Sequence, residues 1–303
     1  MNTHSFSHIR GTNLKVLACG VCAVFWSFGC SPNGRRSAEA PEPVAAADTT
    51  TAVVCDTLAE ISRLSAEILE DFPCWTIDSA GCEGVTDGVA RFKIKGRATE
   101  KVPARTMRIQ SDTATTRILS YIILRDMEKG KPFAFDALCI PDAGTVVICP
   151  DRRDGEHEDD EIDLILVSKR DLRLRALDYD DGPLLTVPAA TGVNPGNKKR
   201  PGDKKTPEGI FSVYAIHDAS EWDYDFHDGK GRIKGCYGKY FVRFREHYHI
   251  GIHGTHRPET VGSRATEACV RLRNEDIERI VPMISVSETL IAVTPAYEDV
   301  IAR

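Results

Sequence analysis

The chain has 303 residues, a formal net charge of -6 and an apolar fraction of 42%, which is enough sequence for two domains of ordinary size with apolar cores. Its charge is unevenly distributed, because residues 156–161 are mostly acidic and residues 198–205 are mostly basic. A general nucleic-acid binder shows an overall basic surface. The composition therefore argues against a nucleic-acid partner and against extensive disorder.

The first thirty residues have the pattern of an export signal. Basic residues are followed by an apolar core over residues 16–28 and then by Gly29-Cys30-Ser31. That core is shorter than the roughly 20 residues of a membrane span. The Gly-Cys end resembles a bacterial lipoprotein cleavage site, which implies acylation of Cys30 and a membrane anchor through lipid. Ser27 replaces the aliphatic residue of that pattern, so secretion without lipid and a retained anchor remain alternatives. We expect a signal at 1–30, a flexible tether at 31–51 and a periplasmic, membrane-anchored protein of the cell envelope.

The cysteines bear on the same compartment. An oxidising compartment pairs cysteines, and the seven that follow residue 30 are an odd number, so one thiol stays free. We expect that thiol to be Cys269. The other six are Cys55, Cys74, Cys82, Cys139, Cys149 and Cys236. Candidate bridges are Cys74 with Cys82 and Cys139 with Cys149, and the alternative that several of the six are buried reduced cysteines remains open.

Residues 52–150 are predicted to form a small α+β domain. Apolar residues at helical spacing predict a helix from Asp56 to Phe72, which Pro73 ends. A second helix is predicted from Ser111 or Asp112 to Met127. Strands are predicted at 89–94, 102–109, 133–140 and 145–149. No motif in this region indicates what it does.

Residues 160–296 are predicted to be mainly β. The charged run 151–161 is interpreted as a solvated connection, and a turn separates short strands after it. Segments rich in glycine, proline, lysine or aromatic residues predict a long exposed loop at 191–211 and a wall or lid for a cleft at 221–238. The strands are predicted at 163–167, 172–177, 184–190, 210–214, 240–244 and 248–252, and a helix at 274–283.

The chemistry is expected in the stretch from His249 to Ile280. A thiol becomes a nucleophile at neutral pH when a neighbour helps to deprotonate it, and an imidazole is the usual helper. His253 and Cys269 are the candidates for such a pair. Together they could carry out acyl transfer without a metal or another cofactor.

Three separated motifs give this pair a context: TG…GDKKTPEGIF at 191–211, IHGT at 252–255, and a cysteine followed by VRLRNEDI at 269–277. In this order they resemble the L,D-transpeptidase catalytic domain, also called the YkuD family. The resemblance implies a β-sandwich with a short helix after the nucleophile. It implies Cys269 as nucleophile and His253 as base.

The resemblance also implies supporting roles. The loop and oxyanion residues would be Gly254, Thr255, Gly262, Thr266, Ala268 and Arg271, and the substrate cleft would include Thr206, Pro207, Gly209, Tyr240 and His256, with Phe211 completing the motif. Ala268 replaces the glycine of the family pattern, and alanine is strained wherever φ is positive. Glu267 brings a negative charge close to the nucleophile and opposes thiolate formation unless it pairs with a base.

The function implied is a peptidoglycan L,D-transpeptidase of cell-wall biogenesis and cell shape. Its cysteine would take a stem peptide into a thioester, release D-alanine and form a 3→3 cross-link with a second stem peptide. Alternatives are an L,D-carboxypeptidase or a protein-to-wall ligase with the same pair, and a catalytically impaired wall-binding protein. A zinc-dependent hydrolase is a further alternative, with ligands drawn from His247, His249, His253, His256 and Cys269.

Overall fold

A computed structural model describes residues 49–150, 161–226, 229, 231–245, 249–286 and 288–302. The predicted signal, the lipidation site Cys30 and nearly all of the tether lie outside these residues, as do His247 and most of the charged connection. Within the described part of the chain, no helix has both the length and the apolar character needed to cross a membrane.

The first part of the chain is one helix and one six-stranded sheet. Helix α1 runs over Thr49–Glu70. It starts before the predicted Asp56 because residues 49–55 contain no glycine or proline to stop it. The strands follow in the spatial order β1-β2-β5-β6-β4-β3; their bounds are β1 Trp75–Thr86, β2 Val89–Ala98, β3 Thr106–Asp112, β4 Arg117–Ile123, β5 Pro132–Ile140 and β6 Thr145–Ile148.

The predicted second helix over residues 111–127 is wrong. This segment is the turn and second strand of the β3–β4 hairpin, in which Met107 pairs with Ile122. Asp112 caps a turn, accepting hydrogen bonds from the Ala114 N–H at 2.9 Å and the Thr115 hydroxyl at 2.8 Å. β4 is buried on both faces, so its apolar residues do not alternate with polar ones and imitate helical spacing.

The second part of the chain contains two larger sheets, in the orders β11-β19-β7-β8-β9 and β12-β15-β16-β18, and the small pairs β10-β17 and β13-β14. The predicted helix over residues 274–283 is helix α2, Asn274–Ile280, followed by a 3-10 turn. The remaining bounds are β7 Leu164–Ser168, β8 Arg173–Asp178, β9 Gly182–Pro188, β10 Thr191–Gly192, β11 Gly209–Ser212, β12 Ala215–Asp218, β13 Asp223–Asp225, β14 Arg232–Lys234, β15 Tyr240–Arg245, β16 Ile250–His253, β17 Arg264–Thr266, β18 Val270–Arg271, β19 Leu290–Thr294 and α3 Tyr297–Ile301.

The prediction of a mainly β catalytic region preceded by a small α+β unit is therefore confirmed. Its two large sheets enclose one apolar core, to which α2 contributes Ile277 and Ile280. The predicted lid segment contains the β13–β14 hairpin. The six described thiols with defined side chains, at positions 74, 82, 139, 149, 236 and 269, are unpaired.

A further apolar core joins the two parts of the chain. Alternate residues of a strand point to opposite faces. In β4, Tyr121 packs toward α1, whereas Ile122 packs toward the five-stranded sheet. In β7, Leu166 meets the first part of the chain, whereas Ile165 faces the core beneath β16. The six-stranded sheet thus covers the outer face of the five-stranded sheet.

Because this core is shared, we expect damage on one side to destabilise both parts. Leu138 is fully buried in it, so Leu138→Ala should lower the free energy of unfolding by about 2–5 kcal/mol. Urea unfolding, with hydrogen exchange read on peptides from β7 and β19, would measure the effect.

Leu58→Ala is the matched control, because Leu58 is exposed on α1, and it should change stability by less than about 0.5 kcal/mol. Faster exchange confined to residues 49–150 in Leu138→Ala would contradict a shared core.

Candidate active site

The parallel pairing of β16 with β18 brings the predicted residues together. Ile252 pairs with Val270 and His253 pairs with Arg271. Cys269 immediately precedes β18 and therefore lies beside β16 as well. Partner residues of a parallel pair project to the same face of a sheet. His253, Cys269 and Arg271 accordingly line one pocket of about 420 Å³.

The side chain of His253 is held in one orientation. Its Nδ1 lies 2.6 Å from the carbonyl oxygen of Gly254, and because a carbonyl can only accept, Nδ1 must donate. Neutral histidine then has no proton on Nε2. The ring of Phe241 stacks on the imidazole at 5.6 Å, and Tyr237 meets it edge-on at 4.8 Å. The imidazole is thus buried, fixed and able to accept a proton through Nε2.

Electrostatics favour a neutral pair at rest. The pKa of His253 is lowered to about 4, mainly by burial; the hydrogen bond to Gly254 acts in the opposite direction, and the charge of Arg271 adds to the lowering. Burial also raises the pKa of the Cys269 thiol above its ordinary value. We conclude that the thiol and the imidazole are both uncharged at neutral pH before a ligand binds.

Several neighbours oppose the effect of burial on Cys269. A backbone hydrogen bond from Gly251 lowers its pKa, and so do the positive charges of Arg271 and Lys198. Glu267 raises that pKa. Arg271 and Lys198 therefore stabilise negative charge that develops on the sulfur, and Glu267 opposes it.

The turn after His253 is locked by Asn274, the first residue of α2. Its side-chain oxygen accepts a hydrogen bond from the Thr255 N–H at 2.7 Å. The same oxygen lies 2.3 Å from where a Cβ would stand on Gly254 and 2.5 Å from where one would stand on Gly238. Glycine is therefore required at both positions, and Gly238 also has a positive φ of 70°.

A hydrogen bond closes the loop that carries Cys269. The Thr266 hydroxyl donates to the Cys269 carbonyl at 2.6 Å. Ala268 is buried, and it is not among the described non-glycine residues that have positive φ. The alanine that replaces the family's glycine is accordingly unstrained.

Arg271 is buried and links two loops. One of its terminal nitrogens donates to the Thr260 hydroxyl at 2.8 Å, and its backbone forms paired hydrogen bonds with Ala190. Its Nε is buried and has no hydrogen-bond partner among the described residues. The arginine thus supports the loop and presents positive charge to the pocket.

Among the predicted cleft residues, His256 lines the pocket, and the others do not. Thr206 and Pro207 are buried, and Thr206 accepts a hydrogen bond from the Gly192 N–H at 2.7 Å. Gly209 begins β11 opposite Val293. Tyr240 begins β15 opposite Asp218, and Gly262 lies in the exposed loop before β17.

Sequence reasoning missed a buried ionic cluster that holds the loops around the pocket. Lys169 lies 3.0 Å from Glu208 and 3.6 Å from Asp299, and all three side chains are almost fully buried. Arg264 makes a two-pronged contact with Asp299 at 2.9 and 3.2 Å. These residues are far apart in the sequence, so no local sequence pattern relates them. They are brought together only by the folding of the chain.

No three histidine, cysteine, aspartate or glutamate side chains in the described part of the chain form a group that could hold a metal ion. His249 and His256 both line the pocket, while His247 falls outside the described residues. The zinc interpretation stays a prediction that rests on His247.

The buried state of His253 predicts acid sensitivity. Its folded-state pKa is about 4 and its ordinary value is 6.5, so its contribution to stability is complete above pH 6.5 and is lost as the pH falls toward 4. The free energy of unfolding should therefore fall on acidification by up to about 3 kcal/mol less in His253→Gln than in the wild type. Urea unfolding at pH 7 and pH 4.5 measures it, and identical pH dependence in both proteins would contradict the assignment.

Comparison with known proteins agrees with the motifs. Residues 162–293 match the family model described as the L,D-transpeptidase catalytic domain, YkuD. A Bacillus licheniformis protein that bears the L,D-transpeptidase name YkuD is 30% identical over 61 residues, which span 20% of this chain and 36% of that relative. The chain thus covers about a third of the curated relative it matches.

Similar solved structures include an L,D-transpeptidase from Mycobacterium smegmatis, with 16% identity, a TM-score of 0.35 and coverage of 73% of this chain and 99% of that one. The helical cell shape determining protein Pgp2 from Campylobacter jejuni has 22% identity, a TM-score of 0.34 and coverage of 45% and 49%. A Xylanimonas cellulosilytica L,D-transpeptidase has 17% identity, a TM-score of 0.32 and coverage of 47% and 65%. The family-model match includes both His253 and Cys269, so the pocket lies within the region that is similar to L,D-transpeptidase catalytic domains.

Proposed function

We propose that this chain is a cysteine acyltransferase that forms 3→3 cross-links between peptidoglycan stem peptides. The observation that carries the proposal is the hydrogen bond from His253 Nδ1 to the Gly254 carbonyl. It leaves Nε2 unprotonated in the pocket that Cys269 also lines. The family-model match over residues 162–293 supplies the substrate class.

The first half-reaction begins from the neutral pair. As a donor carbonyl approaches Cys269, His253 Nε2 takes the thiol proton and the sulfur bonds to the carbonyl carbon at the third residue of a tetrapeptide stem. The backbone N–H groups of Ala268 and Cys269 are the proposed donors to the oxyanion. The C–N bond then breaks, D-alanine leaves with the proton from His253, and a thioester remains.

The second half-reaction returns the enzyme to its starting state. The side-chain amine at the third residue of a neighbouring stem attacks the thioester, His253 removes a proton from it, and the sulfur leaves and is reprotonated. Water as the attacking group would make the same site an L,D-carboxypeptidase, and an amine on a protein would make it a protein-to-wall ligase. The positive charges of Arg271 and Lys198 support the anionic intermediates of either route.

The N-terminal pattern supports a location at the cell envelope. A signal over residues 1–30 would export the chain, and lipid on Cys30 would anchor it on the periplasmic side of a membrane. The tether at residues 31–51 would then let the catalytic region reach peptidoglycan, where it would contribute to cell shape.

Loss of the nucleophile is the direct test. Cys269→Ala should abolish D-alanine release from tetrapeptide muropeptides, because no other group forms the thioester, and should also abolish the covalent adduct with a carbapenem. Mass spectrometry of the products and of the intact protein measures both.

Cys236→Ala is the matched control, since Cys236 lines the same pocket but is buried and its burial raises its pKa. It should still form one adduct. Turnover by folded Cys269→Ala would contradict the mechanism.

The unstrained backbone at Ala268 predicts that this enzyme is not impaired by its departure from the family pattern. Ala268→Gly should leave the rate of carbapenem acylation within about twofold of the wild type, because no positive φ is there to be relieved. Stopped-flow absorbance would measure that rate. A gain of tenfold or more would instead indicate that the alanine limits catalysis.

A further inference from the structure

The charges that line the active-site pocket are unequal. Among the described residues that form its wall, Glu267 is the only carboxylate, and four residues are basic: Lys198, Lys204, Arg257 and Arg271. A basic wall suits a donor peptide that carries carboxylates. It does not suit the acceptor, whose attacking group is an amine and is protonated in solution at neutral pH. Glu267 is the one lining side chain that would attract such a cation.

Glu267 is held at the pocket without being saturated. The Tyr224 hydroxyl donates to its Oε2 at 3.0 Å. Lys204 Nζ lies 3.9 Å from Oε1, which is within ion-pair range but longer than a hydrogen bond. The Glu267 side chain is 53% exposed. Oε1 of Glu267 can therefore still accept a hydrogen bond from a ligand.

The charge of Glu267 is expected to act differently in the two half-reactions. It stands two residues before Cys269, and its charge raises the pKa of that thiol, which opposes formation of the thiolate. A benefit from this carboxylate therefore has to arise after the thioester has formed, when the sulfur is acylated and carries no charge.

We infer that Glu267 binds the ammonium group of the acceptor and holds it beside the Cys269 thioester. This inference rests on the proposed function, and it concerns the choice of acceptor only. It makes the protein selective for amines over water, which favours cross-linking or ligation over hydrolysis.

The step is balanced as follows. The bound ammonium gives one proton to solvent and becomes the free amine. The amine nitrogen bonds to the thioester carbon, the C–S bond breaks, and the second proton from nitrogen passes to His253. His253 then protonates the Cys269 sulfur. The products are an amide, the free thiol and one proton.

The test separates the charge of Glu267 from its hydrogen bond. Glu267→Gln removes the charge but can still accept from Tyr224, whereas Tyr224→Phe removes that hydrogen bond and keeps the charge. Each protein would be given a tetrapeptide stem as donor and a tripeptide stem with a free side-chain amine as acceptor. Mass spectrometry would give the ratio of cross-linked to hydrolysed product.

We expect Glu267→Gln to lower this ratio about five- to tenfold, with thioester formation no slower than in the wild type. Tyr224→Phe keeps the charge and loses only the hydrogen bond that orients it, so it should lower the ratio less than Glu267→Gln does. The wild-type ratio should also fall as sodium chloride is raised, because salt screens an exposed ion pair, and the ratio for Glu267→Gln should not.

An unchanged ratio in Glu267→Gln would overturn the inference while leaving the proposed function intact. A larger loss in Tyr224→Phe than in Glu267→Gln would overturn it as well, since the ratio would then depend on the hydrogen bond and not on the charge of Glu267. If the wild-type protein forms no thioester, the proposed function fails and this inference fails with it.

Discussion

Asp299 is the buried carboxylate on which the positions of the pocket loops depend. It accepts hydrogen bonds from the N–H groups of Gly196 and Ala296 and from Arg264, and it lies close to Lys169. Removing one partner from such a cluster leaves a buried charge without compensation, which typically costs about 3–5 kcal/mol. The geometry beside Cys269 thus depends on a residue that lies 30 positions further along the chain.

The same cluster explains how a mainly polar loop keeps a defined shape. Residues 193–208 contain almost no apolar side chain that could anchor them. Instead, Lys169 contacts the Gly196 carbonyl and Glu208. Asp203 accepts hydrogen bonds from Lys198 and from the backbone around it. Buried ionic contacts therefore stabilise this loop, whereas apolar packing stabilises the sheets.

The sequence predicted best where a residue's role depends on its neighbours along the chain. The IHGT motif and the cysteine loop predicted that His253 and Cys269 belong together, and both line one pocket. Strands β15 and β16 were predicted within two residues of their bounds. Prediction failed at β4, because burial on both faces removed the alternation that indicates a strand. Strand β1 was missed as well, since Gly81 and Gly84 interrupt its pattern.

Other parts of the site could not have been predicted from one sequence. Asp299, Lys169 and Glu208 meet through tertiary packing, and each would be read alone as a surface charge. Thr206 and Pro207 were expected in the cleft because of their motif, yet both are buried and neither lines the pocket. Asn274 could be predicted to lie at the start of a helix. Its hydrogen bond to the turn after His253 could be recognised only from the distances in the structure.

The contact of Asn274 with two glycines limits which substitutions the three positions can accept. Residues 238, 254 and 274 share a space that admits one amide and no Cβ on either glycine. A larger residue at position 254 would require a smaller one at position 274, and the Thr255 N–H would then lose its acceptor. Positions 254 and 274 can therefore change only together, whereas position 238 also requires glycine because of its positive φ.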